Sequence, residues 1–339
     1  MNFHFFSNSE FAGPSARDIV RFWDREPRQL RPRAPSMYIT SQGIQIAKAA
    51  EMNYIEIAKF WNQFYCGTDW TFTCTKAQVE RWAKQGFILM ARADDVLVGT
   101  FACRELPRGA ICGCPVKAVI IDGLVVHPSW RGRGLASCLL GAIDYEIFRI
   151  PALNYAVPIW FREHGSILET ATQAPIAVLE YAYIRSEQIP LTEERATKPQ
   201  PEMVESLVRL VMKDNSFTLV SLDTSDPDVI WSMACGALVG IADMHRLTND
   251  GYTIWEVVFA ANILKPHFSD LQKAIEVATQ QIPISKFILF ASNGLCRGNF
   301  TQPDGGWLMG TSGYLTAHVY NWMPPEFLTG DILFPHSCI

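Results

Sequence analysis

The sequence predicts an α/β (α+β) protein of two tandem units, each a mixed central sheet flanked by helices. Three observations carry this. The order helix, helix, strand, strand, strand, helix, strand occurs twice along the chain. A polar, proline-flanked stretch at residues 188–201 separates the two runs. In the first run a buried-type strand ends in an arginine-glycine turn that opens directly into a helix, and the second run has no such turn.

The elements follow from residue spacing. Residues 1–36 are rich in Pro, Arg and Ser and carry one apolar patch, Ile19-Val20-Arg21-Phe22-Trp23. They read as an extended arm. Ile55, Ala58, Phe60, Trp61 and Phe64 recur at helical spacing over residues 54–65. A second helix is expected over 76–84, with Thr75 as its N-cap. Strands are expected at 87–91 and 96–105, joined by the turn Ala93-Asp94-Asp95. The run at 118–127 is almost wholly apolar and reads as a strand buried on both faces. A helix at 135–148 and strands at 153–160 and 176–184 complete the first run. The second run holds a helix at 201–212, a short helix at 226–233, strands at 236–247 and 252–260, a helix at 269–280, and strands at 285–291 and 313–321.

Composition narrows the function classes. The chain has 339 residues, 49% hydrophobic and 19% charged, with a formal net charge of -5. That balance argues against a nucleic-acid partner, which calls for a basic surface. The main basic cluster, residues 21–33, is broken by prolines. No apolar run reaches the roughly 18–20 residues of a membrane span, and the first residues lack the basic head and apolar run of a secretory signal. A cytoplasmic protein without stable membrane insertion is expected. Nine cysteines without a CxxC pair read as reduced thiols. No four-ligand set for zinc is found, so no metal is expected.

The chemistry concentrates in residues 121–140. The strand runs through Asp122, Gly123, Leu124, Val125 and Val126 into a loop with Arg131, Gly132, Arg133 and Gly134, and a helix begins at Leu135 and Ala136. Glycines permit a tight turn and close backbone approach to a ligand. Free amides at a helix start, and the helix dipole, favour an anion there. Two arginines add charge-assisted hydrogen bonds. The sum is a cradle for a diphosphate. Asp122 is weighed as a base beside it. His127, ahead of Pro128, and Cys138, on the helix, read as structural, and His245, His267, His318 and His336 show no convincing partner in sequence.

Arg131, Gly134 and Ala136 have the Arg-x-x-Gly-x-Ala spacing that resembles the acetyl-CoA-binding motif of the GNAT superfamily. Arg21-Phe22-Trp23-Asp24-Arg25-Glu26-Pro27 is similar to the Phe-Trp-x-x-x-Pro signature of N-myristoyltransferases. Tyr320-Asn321-Trp322 is similar to that family's late Tyr-Asn-Trp. The strand carries Asp122-Gly123-Leu124 where the family has Asn-Phe-Leu. The resemblance covers nearly the whole chain at low identity. It implies acyl-CoA, in particular myristoyl-CoA, as co-substrate, N-terminal glycine peptides or proteins as acceptors, and a monomer. It implies that the backbone amides of Gly123 and Leu124 polarise the thioester. Arg21, Phe22 and Trp23 would cover the coenzyme. Leu124, Val125, Val126, Arg131, Gly132, Arg133, Gly134, Leu135 and Ala136 would hold it. The terminal carboxylate at Ile339 would act as base. The units would be an arm at 1–36, an acyl-CoA-binding domain at 37–187 and an acceptor-binding domain at 188–339. An acetyltransferase of the general GNAT type and a non-catalytic acyl-CoA-binding protein are the alternatives.

Overall fold

The computed structural model describes residues 28–29, 43–67, 69–111, 114–153, 156–163, 173–179, 181–212, 217–221, 224–263, 269–292, 306–309, 315–320, 322–323 and 331–333. The strands in chain order are β1 (Arg28–Gln29), β2 (Ile44–Lys48), β3 (Trp70–Phe72), β4 (Gly86–Ala93), β5 (Val96–Ile111), β6 (Cys114–Val126), β7 (Val157–Glu163), β8 (Gln173–Leu179), β9 (Tyr181–Arg185), β10 (Phe217–Ser221), β11 (Val229–Ala234), β12 (Ala237–Thr248), β13 (Thr253–Asn262), β14 (Phe287–Ser292), β15 (Leu308–Met309), β16 (Leu315–Tyr320), β17 (Trp322–Met323) and β18 (Asp331–Leu333). The helices are α1 (Tyr54–Phe64), α2 (Lys76–Lys84), α3 (Leu135–Arg149), α4 (Pro201–Met212) and α5 (Ser269–Ala278).

Two mixed sheets organise the chain. The first has the order β18-β10-β5-β6-β7-β16-β8, with β4 also on β5 and β2 on β4. The second has the order β11-β12-β13-β14-β9-β15, with β3 also on β12. The two share one plan. In each, a meander of antiparallel strands (β4-β5-β6 and β11-β12-β13) leads into a helix and then a parallel strand (β7 and β14). Strands from either side of residue 188 enter both sheets: β9 lies on β14, and β16 lies between β7 and β8. The stretch 176–184, read from sequence as one strand, is therefore the end of β8 and most of β9, which belong to different sheets. The arm meets the far end of the chain, where Arg28 and Gln29 pair with Met323 and Trp322.

Each sheet is covered on both faces, as its apolar strands require. Ile57, Trp61, Val79 and Trp82 of α1 and α2 pack on one face of the first sheet. Leu135, Leu139, Ile143 and Ile147 of α3 pack on the other. Helix α5 covers one face of the second sheet and α4 the other. Local signals explain the boundaries. Thr75 caps α2 as expected: Gln78 N donates to Thr75 Oγ1 at 3.3 Å and Thr75 N donates to Gln78 Oε1 at 2.6 Å. Asp94 and Asp95 turn the β4-β5 hairpin with φ of 48° and 63°, the left-handed pair that such a two-residue turn needs.

One expected element is corrected. Residues 226–233 do not form a helix; Val229–Ala234 is the edge strand β11. Asp226 Oδ1 accepts from Asp228 N at 3.0 Å and sets a local turn, after which Val229 and Trp231 bury themselves against α4 and the sheet. That side-chain turn replaces a helical start.

A polar junction ties α2 to the second sheet. Arg81 Nη2 lies 2.5 Å from Asp228 Oδ2, and His245 Nε2 lies 2.9 Å from the same oxygen. His245 sits in a bulge of β12 at φ 52°, and its carbonyl accepts from Thr73 N at 2.7 Å. Asp228, the partner at 2.9 Å, is distant in sequence, while Asp243, whose Oδ2 lies 3.5 Å from His245 Nδ1, stands two residues away on the same strand.

Candidate acyl-CoA site on strand β6 and helix α3

The site begins where β6 loses a neighbour. Strand β7 pairs with β6 only over Ala118, Val119 and Ile120. Beyond Ile120, β6 continues to Val126 bound to β5 alone among the described residues. Among the described residues one edge of 121–126 is thus open, and an open strand edge presents unpaired amides and carbonyls to a ligand.

The same stretch contains a bulge. Thr100 pairs with Val125 and Ala102 with Asp122, so Gly123 and Leu124 together face the single residue Phe101. Such an insertion interrupts the ladder and re-aims the backbone. Gly123 adopts φ 61°, which a residue with a side chain rarely takes. A Cβ there would stand 3.3 Å from the Trp82 ring and 3.4 Å from the Trp61 ring. Trp61 Nε1 donates to Thr100 Oγ1 at 2.7 Å, and Thr100 Oγ1 donates to the Gly123 carbonyl at 3.2 Å.

Beside the bulge lies a buried ion pair. Arg104 donates to Asp122 Oδ2 from Nη2 at 2.7 Å and from Nε at 3.2 Å. The guanidinium stacks on Trp82 at 4.2 Å. Asp122 Oδ1 is buried and has no hydrogen-bond partner among the described residues. Burial pushes the Asp122 carboxyl up to about 7, against the opposing pull of the Arg104 charge.

After β6 the chain makes a short 3-10 turn, Pro128–Trp130, closed by His127, whose Nδ1 accepts from Ser129 N at 3.2 Å. The His127 ring packs on Phe64 at 4.6 Å. Both contacts are structural, as the sequence suggests. Arg131, Gly132 and Arg133 are exposed. Gly132 and Gly134 take φ of 72° and 81° with open space where a Cβ would lie. Gly134 is the N-cap of α3 and brings no side-chain cap to its amides. Arg131 Nε donates to the Val126 carbonyl at 3.2 Å, which fixes the loop to the strand end. The cradle therefore has positive charge, open glycines and an uncapped helix N-terminus. An anion such as a diphosphate fits it.

The structure brings Gly123, Leu124, Val126, Arg131, Gly132, Arg133, Gly134 and Ala136 along this one edge. Val125 and Leu135 have core side chains, 2% and 1% exposed, so a contact with coenzyme would run through their backbones. Arg21, Phe22, Trp23 and Ile339 lie outside the described residues. So do Asn321, His267 and His336, and His318 is described in backbone only. Cys138 carries a free thiol on α3 whose pKa is raised by burial. Sequence reasoning missed Trp61, Trp82, Thr100 and Arg104. Arg104, a charge within a predicted strand two residues from Ala102, was the available signal. Among the described residues no cluster could hold a metal ion, and no helix is long and apolar enough to cross a membrane.

Comparisons with known proteins bear on the family and the fold. Residues 55–149 match the Acetyltransferase (GNAT) family, a span from α1 through α3. A search of curated proteins gives no match. The whole chain is similar in fold to Saccharomyces cerevisiae N-myristoyltransferase with bound myristoyl-CoA: TM-score 0.66 at 13% identity, covering 96% of this chain and 92% of that one. A second structure of the yeast enzyme with myristoyl-CoA gives 0.64 at 13% identity, covering 94% and 88%. A third, with myristoyl-CoA and inhibitors, gives 0.64 at 13% identity, covering 91% and 88%. The chain has an N-myristoyltransferase-like GNAT fold of two tandem units.

Proposed function

We propose that this chain is a protein N-acyltransferase that moves a long acyl group, myristoyl in particular, from acyl-CoA to the N-terminal glycine of a peptide or protein. The observation that carries the reading is the open edge of β6 running into the uncapped start of α3 across Arg131, Gly132, Arg133 and Gly134. The likeness in fold to yeast N-myristoyltransferase across both units supports the finer choice of acyl group and acceptor.

In this reading the loop and the first amides of α3 hold the diphosphate of the coenzyme. Its pantetheine lies along the free edge of residues 121–126. The thioester reaches the bulge, where the amides of Gly123 and Leu124 polarise its carbonyl and stabilise the oxyanion that forms on attack. Thr100 and Trp61 hold the bulge in shape. Residues 37–187 bind the donor, and residues 188–339, whose sheet lacks an arginine-glycine loop, bind the acceptor. The N-terminal arm covers the coenzyme. The acceptor enters as an ammonium and must lose a proton before it attacks. Direct aminolysis of a thioester needs no acyl-enzyme, and the cytoplasm is the expected setting.

The experiment is incubation of the full chain with a library of Gly-initiated peptides and acetyl-, decanoyl- or myristoyl-CoA, read by mass spectrometry. Myristoyl-peptide product is expected. A second reading, an acetyltransferase of amines, draws on the match of residues 55–149 to the acetyltransferase family. Product from acetyl-CoA alone would favour it. Tight acyl-CoA binding without product would indicate a binding protein.

A further inference from the structure

We propose that Asp228 is a positioning residue for the transfer: from the edge of the second sheet it holds helix α2 in place, and α2 holds Trp82 against the bulge at Gly123. The proposal rests on the acyl-transfer reading of that bulge.

The first argument is how α2 is held. It has nine residues. A helix that short has little stability of its own, so its position is set by what it packs on. The second sheet grips it at both ends. In its last turn Arg81 Nη2 lies 2.5 Å from Asp228 Oδ2. Just ahead of its first turn, Thr73 N and Thr73 Oγ1 donate to the His245 carbonyl at 2.7 and 3.0 Å. The His245 ring returns to Asp228: Nε2 lies 2.9 Å from the oxygen that meets Arg81. Asp243 links the same two residues through the backbone. Its N–H donates to the Asp228 carbonyl at 2.9 Å, and its Oδ1 accepts from His245 N at 2.8 Å. Both grips converge on Asp228.

The second argument is what α2 holds in turn. Successive helical residues point about 100° apart. Arg81 therefore reaches the second sheet while its neighbour Trp82 turns to the first. Trp82 is 8% exposed, and a Cβ on Gly123 would stand 3.3 Å from its ring. The ring packs on Trp61 at 4.9 Å and on the Arg104 guanidinium at 4.2 Å. Gln85, the C-cap of α2, accepts from Arg104 Nη1 at 3.4 Å through its side chain and from Glu105 N at 2.7 Å through its carbonyl. One short helix thus joins Asp228 to the groups on which Gly123 rests. Contiguous packed and hydrogen-bonded groups of this kind can carry a displacement from one site to another.

The third argument is electrostatic. Burial opposes the charge on Asp228, but the contact with His245 and the charges of His245 and Arg81 outweigh it and hold the carboxyl below its ordinary range. The carboxylate is therefore ionised at neutral pH, between two cationic partners from different elements. Without it the Arg81 side chain, 34% exposed, would turn to solvent and release α2. The amides of Gly123 and Leu124 serve the thioester only when correctly aimed, and a misplacement of about 1 Å costs about 100-fold in rate. The arginine-glycine loop opens α3 on the opposite face of the sheet, so the hold on the diphosphate should not change.

The test is Asp228→Ala in the full chain, with Arg81→Met as a milder cut of the same link and the double variant beside them. Amide hydrogen exchange, read by mass spectrometry, should quicken over residues 76–85 and 121–126 in each variant. With a Gly-initiated peptide and myristoyl-CoA, kcat should fall about tenfold, and the Kd for myristoyl-CoA should stay within about twofold. The double variant should lose no more kcat than Asp228→Ala alone, because both changes break one link. Unchanged exchange at 121–126, faster exchange spread evenly over the chain, a wild-type kcat, or losses that multiply in the double variant would each overturn the proposal. Faster exchange at 121–126 in a chain whose wild type acylates no amine would keep the link and overturn the acyl-transfer reading instead.

Discussion

Trp61 and Gly123 are joined through one hydroxyl: the indole of Trp61 donates to Thr100 Oγ1 at 2.7 Å, and Thr100 donates onward to the Gly123 carbonyl at 3.2 Å. Helix α1 thereby holds the bulge of β6 from outside the strand. Thr100 is fully buried, so neither link is shared with solvent. Thr100→Val keeps the shape and leaves the Trp61 N–H unpaired. It is expected to cost about 1–3 kcal/mol by denaturant unfolding and to lower kcat more than it raises KM for acyl-CoA.

Gly123→Ala tests the bulge directly. A side chain at φ 61° costs about 1–2 kcal/mol, and Trp82 and Trp61 must yield to contacts at 3.3 and 3.4 Å. Displacing the amides by a fraction of an ångström should slow turnover about tenfold to a hundredfold. Steady-state kinetics with an equilibrium titration of coenzyme checks this; the Kd should hardly move.

The junction between the two sheets should titrate. His245 is opposed by burial, but its contact with Asp228 and the charges of Asp243 and Asp228 outweigh that, and the nearby Arg81 charge, to raise its pKa. A histidine with a raised folded-state pKa gives stability that is complete below its unfolded value of about 6.5 and lost as pH rises through the folded value. His245→Gln should therefore cost most at pH 6, about 1.5–3 kcal/mol, and less at pH 8.5. Unfolding curves at the two pH values measure the difference, and a gap that fails to narrow contradicts the prediction.

Thiol reactivity should follow burial. Cys74, lifted to about 12 mainly by burial, and the fully buried Cys103 should resist alkylation in the native state. The exposed Cys66 should react early. Peptide mapping after limited alkylation reads the order.

Much of this was legible from the residues. Helical spacing in α1, the Thr75 cap, the Asp94-Asp95 turn and the apolar run of β6 are local signals, and the structure follows them. The arginine-glycine loop between β6 and α3 was legible because strand, glycines, arginines and helix start are contiguous. What was hidden depends on pairing across the chain. The bulge at Gly123 is a register slip against β5, and register does not show in one strand's composition. The Arg104–Asp122 pair joins residues on neighbouring strands. The strand β11 was mistaken for a helix because its short apolar run suits either, and pairing with β12 decides it. The exchange of β9 and β16 between sheets was invisible for the same reason.

Calorimetric titration of the full chain with myristoyl-CoA bears most directly on the loop between β6 and α3. One site per chain is expected, with affinity weakened about tenfold or more when Arg131 and Arg133 are both changed to Ala, since each can give a charge-assisted contact to phosphate. Both arginines are exposed, so the fold should survive the change. No binding of any acyl-CoA by the native chain, or equal binding by the double variant, would contradict the assignment of this loop.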